Sequence, residues 1–180
     1  MTAANRDVAT LTSTDRELVS TRIFDAPRAL VFQAWTEPER LACWFGPKGF
    51  TMTASTIDLC PGGVYHYGMK SPDGQIMWGR WVFREVVEPA RLVFVASFSD
   101  EQGGLSRHPF AANWPMEVLS TVAFDTHDGK TTVTLRGVPI HASESEIQAF
   151  EAGRDRMRKG WGGTLDQLAA YLAGSHEGQE

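Results

Sequence analysis

Cysteine is scarce in this chain: Cys43 and Cys60 are the only two among 180 residues. They show no CxxC or Cys/His spacing, so the sequence holds neither a disulfide framework nor a zinc site. Both read as reduced thiols that pack as small apolar groups. The five histidines lack HxxxH-type spacing, and no metal or other cofactor is called for. Basic runs are missing too. With 17 Lys and Arg against 22 Asp and Glu, the net charge is −5, which argues against nucleic acid or an anionic membrane as a partner. No apolar run is long enough to span a bilayer, and the opening MTAANRDVATLTSTDRE lacks the apolar segment of a secretory leader. The expected location is cytoplasmic. Nucleophile-elbow, P-loop and dinucleotide glycine patterns are absent, and Gly62-Gly63 and Gly103-Gly104 suit turns better than phosphates.

What the chain does have is a long amphipathic segment at its end, Ser143 to about Ala173. Ile147, Phe150, Met157, Trp161, Leu165, Leu168 and Leu172 recur mostly three or four residues apart, which places them on one helical face. About thirty residues at ~1.5 Å each give roughly 45 Å, enough to cross a whole sheet. Arg154 interrupts the apolar arc, and Gly153, Gly160, Gly162 and Gly163 interrupt the helix. Each interior glycine costs about 1 kcal/mol relative to alanine, so close packing or a gating role is expected to offset it. Packing that lets the sheet or the two short helices approach at Gly153 and Gly160 is the favoured reading.

Before that helix the pattern is mostly of strands. Glu17 to Phe24 alternates and is rich in β-branched residues. Asp25 is expected to cap a helix with Pro27 in its first turn, and Thr36, Pro38 and Glu39 to open a second short helix through a capping box. Trp44-Phe45-Gly46-Pro47 ends it. Six strands follow: Thr51–Leu59, Val64–Lys70, Met77–Val87, Leu92–Ser99, Pro115–Thr126 and Thr131–Pro139. Pro61-Gly62-Gly63, Pro72-Asp73-Gly74, Glu88-Pro89 and His127-Asp128-Gly129 supply turns, and Asp100–Asn113 reads as a loop. Tight turns predict an antiparallel sheet, and the long helix is the only element available to cover its packed face. A curved sheet gripping one helix is expected to close imperfectly and leave a cavity. The expectation is therefore one α+β domain over residues 15–174, with a flexible arm over 1–14 and a polar tail over 175–180.

DAPRALVFQAWTEPERLACWFGP, DLCPGGVYHYGM with PDG, EVVEPARLVF and GWGGTLDQLAAYLA occur in that order over nearly the whole chain. Together they resemble the family named for the activator of the 90-kDa heat-shock protein ATPase, within the START/Bet v 1-like (SRPBCC) superfamily. The resemblance implies a helix-grip fold, a seven-stranded antiparallel sheet curved around the C-terminal helix with two short helices at one end, enclosing an apolar pocket. It also implies a choice of roles. Superfamily relatives bind lipids, steroids or polyketides, a few cyclise or dehydrate them, and the cochaperone behind the family name carries a separate N-terminal domain for which this chain has no room. Cys60 stands where the family commonly has an arginine.

The pocket candidates are Trp35, Trp44, Phe45, Tyr65, Tyr67, Met69, Trp81, Phe83, Phe98, Trp114, Phe150, Arg154, Met157 and Trp161, all on inward faces or at the pocket end. Taken singly, most of these aromatics read as core; taken together, a subset reads as the lining for a flat apolar ligand, with Tyr and Trp polar groups as handles. Arg154 reads either as paired to Glu117, Glu85 or Asp155, or as a pocket group for a carboxylate. His108 and Glu117 suggest an acid–base pair only if the fold brings them together. The expected partner is a small hydrophobic molecule. An enzyme acting on a polyketide-like substrate, a cochaperone-like module, and a homodimer through strand edges or Trp78 are the alternatives.

Overall fold

The computed structural model describes residues 16–176, so the arm expected over 1–14 lies outside the described residues. The chain runs β1 (Leu18–Phe24), α1 (Arg28–Thr36), α2 (Pro38–Trp44), β2 (Thr51–Ile57), β3 (Val64–Lys70), β4 (Ile76–Val87) and β5 (Arg91–Ser99). It continues through β6 (Leu105–Ser106), β7 (Glu117–His127), β8 (Lys130–Ile140) and α3 (Glu144–His176). The strands form one antiparallel sheet in the order β1-β8-β7-β5-β4-β3-β2, with β6 beside β5 alone. This is the helix-grip arrangement, with eight strands rather than seven. The eighth arises because β7 leaves β5 after Ala96, so Phe98 and Ser99 pair instead with Ser106 and Leu105, inside the segment expected to be loop.

Turn chemistry sets the register. Asp128 and Gly129 take φ of 49° and 74°, the doubly positive pair of a two-residue hairpin turn, and His127 faces Lys130 across it. Gly62 and Gly63 extend the sheet beyond β3: Gly62 N–H donates to Phe83 C=O and Phe83 N–H to Gly63 C=O.

The short helices start differently from expectation. Pro27, not Asp25, is the N-cap of α1, and its carbonyl accepts from Leu30 and Val31 N–H. The buried Thr36 hydroxyl donates back to Phe32 C=O at 2.9 Å, so it is not available to cap α2. Glu37 takes the N-cap position without a side-chain bond, its carboxylate engaged by Arg40. α3 has the capping box instead: Ser143 Oγ accepts from Glu146 N–H, and Glu146 Oε2 from Ser143 N–H at 2.8 Å. It runs through His176, and the remainder of the tail expected over 175–180 lies outside the described residues.

α3 is divided along its length. Leu165, Leu168 and Leu172 are buried with Phe24, Trp35, Trp44, Trp81, Phe83, Phe94 and Phe124 in one core. At ~25 cal/mol per Å² such side chains stabilise the fold by about 1.5–3 kcal/mol each. In the N-terminal half of α3 only Phe150 is fully buried. Arg22 joins the helix to β1, donating to Asp166 at 2.7 Å and to Gly162 C=O.

Candidate functional site

The inner face of the sheet carries its own hollow. Across one row, Tyr65 faces Trp81, Trp81 faces Ala96, and Ala96 faces Val118; across the next, Tyr67 faces Gly79 and Gly79 faces Phe98. Two small residues, Gly79 and Ala96, thus sit beside large ones. The Tyr67 ring lies across Gly79, where an added Cβ would stand 2.7 Å from Cε2 and closer still to Cζ and Oη. Beyond Ala96 the two-residue β6 replaces β7 beside β5, and Trp114, Pro115 and Met116 lie at the hollow this leaves. The resulting cavity is about 150 Å³ and is lined by Tyr67, Ala96, Ser97, Phe98, Trp114, Pro115, Met116 and Val118.

α3 supports the roof. Trp114 packs on Phe150 with centroids 5.6 Å apart, and its ring reaches Gly153, where a Cβ would meet Cζ3 at 3.0 Å. Arg107 ties the same segment to the helix start, donating to Glu146 and Ala112 C=O, both at 3.1 Å. The Ser143 N–H, and then Arg107, hold the Glu146 carboxyl below the usual carboxylate range.

Burial pushes the Tyr67 and Tyr65 hydroxyls above the ordinary phenol range, with the Trp81 indole opposing this at Tyr67 and Ser55 opposing it at Tyr65. Tyr67 is therefore a neutral phenol in the cavity wall; Ser97 points its hydroxyl the other way, toward Arg80 at 3.2 Å. His108 stands at the edge of the site, 4.6 Å from the Phe98 ring and 6.2 Å from Trp114. Its Nδ1 accepts from Phe110 N–H at 3.0 Å, which requires that nitrogen to be unprotonated. Burial lowers its pKa below 6.5. The unfolded chain therefore takes up this proton more readily, and His108's contribution to stability is present above pH 6.5 and lost as pH falls through the lowered value. In thermal melts between about pH 7.5 and about pH 5, the wild type is expected to lose more stability than His108→Phe; equal slopes would contradict this.

Residues 25–173 match the family model described as activator of Hsp90 ATPase homolog 1-like protein. The chain belongs to that family. A Mycobacterium smegmatis protein of known structure is 28% identical, with a TM-score of 0.71 over 88% of this chain and 91% of its own. An Arthrobacter aurescens protein is 26% identical, with a TM-score of 0.74 over 89% and 87%. A Nitrosomonas europaea protein is 25% identical, with a TM-score of 0.71 over 91% and 97%. No curated protein matches the chain significantly.

Within this family member the candidate residues divide. Tyr67, Phe98 and Trp114 line the cavity, and Phe150 backs it. Trp35, Trp44, Tyr65, Trp81 and Phe83 lie in the core, with Phe45 and Trp161 packed against it. Met69 lies against Gly46, and Met157 is half-buried on α3. Arg154, also half-buried, finds its expected partners already engaged: Glu85 with Arg91, Glu117 with His141 and Asp155 with Arg158. Glu117 contacts His141 and His108 accepts from Phe110 N–H, so among the described residues the suggested acid–base pair does not form. Cys60 is exposed, its thiol 3.5 Å from the Asp58 carboxylate. Ala96 and Val118 were within reach of strand alternation, whereas Pro115 and Met116 follow only from the path of the segment.

The glycines divide as well. Gly153 packs closely, though against Trp114 and not against the sheet or the short helices, while a Cβ at Gly160, Gly162 or Gly163 would meet nothing within 4 Å. Close approach therefore does not explain these three. Gly160→Ala is expected to raise stability by up to about 1 kcal/mol, read by urea denaturation; a loss would mean that the glycine is needed. Among the described residues no helix is long and apolar enough to cross a membrane.

Proposed function

We propose that this protein binds a small apolar or aromatic molecule at the sheet end beneath Trp114. The supporting observation is a partly open cavity of about 150 Å³ that the half-buried Tyr67 lines together with Phe98, Trp114, Met116 and Val118. A volume of about that size is enough for one aromatic ring. Tyr67 adds a donor that orients a phenolic or carbonyl oxygen. The Ser97 hydroxyl turns away and His108 bonds to its own loop, so binding is favoured over acid–base catalysis.

The test is a thermal-shift panel of phenol, indole and toluene, alongside lipid, steroid and polyphenol ligands, on the purified protein. A one-ring aromatic at about 100 times its dissociation constant should stabilise the fold by roughly 2.7 kcal/mol. Tyr67→Phe should weaken phenol by about tenfold and leave toluene within about twofold, the cost of one hydrogen bond. No shift with any member, and no co-purified ligand, would defeat the proposal.

A further inference from the structure

Arg154 is a cation without a counterpart. It is half-buried on α3, and among the described residues it makes no ion pair or hydrogen bond. The carboxylates nearest to it along the helix are occupied: Glu146 by Arg107, Glu151 by Arg16 and Asp155 by Arg158. Its neighbours add to the charge. Residues 154–159 hold four cations, Arg154, Arg156, Arg158 and Lys159, against Asp155 alone, in a chain whose net charge is −5. Taking a guanidinium out of water is unfavourable, and an opposite charge is what normally offsets it.

Helical geometry fixes which way Arg154 faces. Before it in the chain, Phe150 and Gly153 pack on Trp114; after it, the Trp161 ring lies 6.0 Å from Trp35 and 6.1 Å from Phe45. At 3.6 residues per turn, Arg154 stands about 40° round the helix from Phe150 and about 20° from Trp161, so it faces inward with both. A helical side chain leans toward the N-terminus, over the preceding turn. For Arg154 that is the turn of Phe150 and Gly153, which holds Trp114, and Trp114 also lines the cavity. Arg154 is not itself in the cavity wall, and no acidic residue lines that wall to oppose an anion.

We infer that the ligand is an arylalkanoic acid, with its ring in the cavity against Tyr67 and Trp114 and its carboxylate on the Arg154 guanidinium. A carboxylate matches the guanidinium fork with two parallel N–H···O bonds, which a neutral oxygen cannot do. The short alkyl chain is required because Arg154 stands beside the Trp114 contact and outside the cavity wall. This rests on the proposed binding role and deepens it, from any small aromatic molecule to an aromatic anion.

The test is titration calorimetry with 3-phenylpropionate and its neutral counterpart 3-phenylpropanamide, and with toluene as the probe of the cavity alone. The wild type should bind the acid at least about tenfold more tightly than the amide. Arg154→Met should bring that ratio to within about twofold of one, and Arg154→Lys, which keeps the charge but not the fork, should give a ratio between the two. Thermal melts establish that each variant folds; Arg154→Gln replaces Arg154→Met if that one does not. Arg156→Gln, at an exposed position, removes a charge from the same segment and should keep the wild-type ratio. A fall as large as that in Arg154→Met would mean that the general field of the segment attracts the anion, and would overturn the inference. If toluene binds but acid and amide bind equally, or the preference survives loss of Arg154, the anion site is wrong and the apolar site stands. If none of the three binds the wild type, both fall.

Discussion

Trp35→Ala is expected to destabilise the fold by about 3–5 kcal/mol, the range for removing a large aromatic from a core that cannot collapse around the void. Trp35 is fully buried on α1, and its ring meets every layer of the fold. It lies 5.0 Å from Trp44 of α2, 6.1 Å from Trp81 of β4, 6.1 Å from Phe124 of β7 and 6.0 Å from Trp161 of α3. With four partners on four separate elements, no single movement can refill the space. The indole Nε1 adds a second effect, because among the described residues it is buried without a hydrogen-bond partner. An unsatisfied buried donor costs about 1–3 kcal/mol, so Trp35→Phe loses packing but sheds that cost. It should retain more than half of the stability lost in the alanine variant. Urea unfolding of the three proteins decides this, and an alanine penalty below about 1 kcal/mol would show that the tryptophan cluster is not the centre of the core.

Much of this architecture was legible in the sequence because it is written locally. The alternation of Tyr65, Tyr67 and Met69 gives the inner face of β3, the Asp-Gly and Pro-Asp-Gly turns give the hairpins, and the Leu165–Leu168–Leu172 spacing gives the buried half of α3. The cavity was not legible in this way. Strand alternation puts Tyr67, Gly79 and Phe98 on inner faces but does not say that they share a row. That depends on pairing set by a register shift between Phe83 and Glu85, and by where β7 leaves β5. The same holds for charge. Arg154 has three plausible carboxylates within the sequence, and each forms a contact with another residue in the fold. Local capping rules failed for Thr36 because its hydroxyl had a nearer acceptor in α1, while Ser143 and Glu146, which have the right spacing for that rule, form the box.

The division of α3 ties these findings together. Its C-terminal half fills the core, and its N-terminal half holds up a roof through Phe150 and Gly153. The open glycines, Gly160, Gly162 and Gly163, fall between the two. A helix spanning a packed core and a hollow end has no continuous surface to match, which explains why its apolar stripe thins just where the cavity begins.

Gly79→Ala is expected to cost binding far more than it costs stability. The added methyl would overlap the Tyr67 ring, whose Cε2 would be 2.7 Å away. Overpacking in a filled core costs about 1–3 kcal/mol. Here the obstructing group is the far end of a side chain with an empty cavity beside it, so Tyr67 can swing into that space and the penalty should sit near the low end. The swing fills the cavity with the phenol that was its polar handle. Affinity for phenol should then fall about a hundredfold or more, roughly 2.7 kcal/mol, against about 1 kcal/mol of lost stability. Tyr67→Phe separates the causes, because it removes the hydroxyl while leaving the space. Tyr67→Ala in the Gly79→Ala background should reopen the cavity and restore toluene binding, while phenol stays weak. A Gly79→Ala protein that is strongly destabilised yet binds phenol normally would mean that the ring moves outward into the core instead. The cavity would then be independent of the tyrosine that lines it.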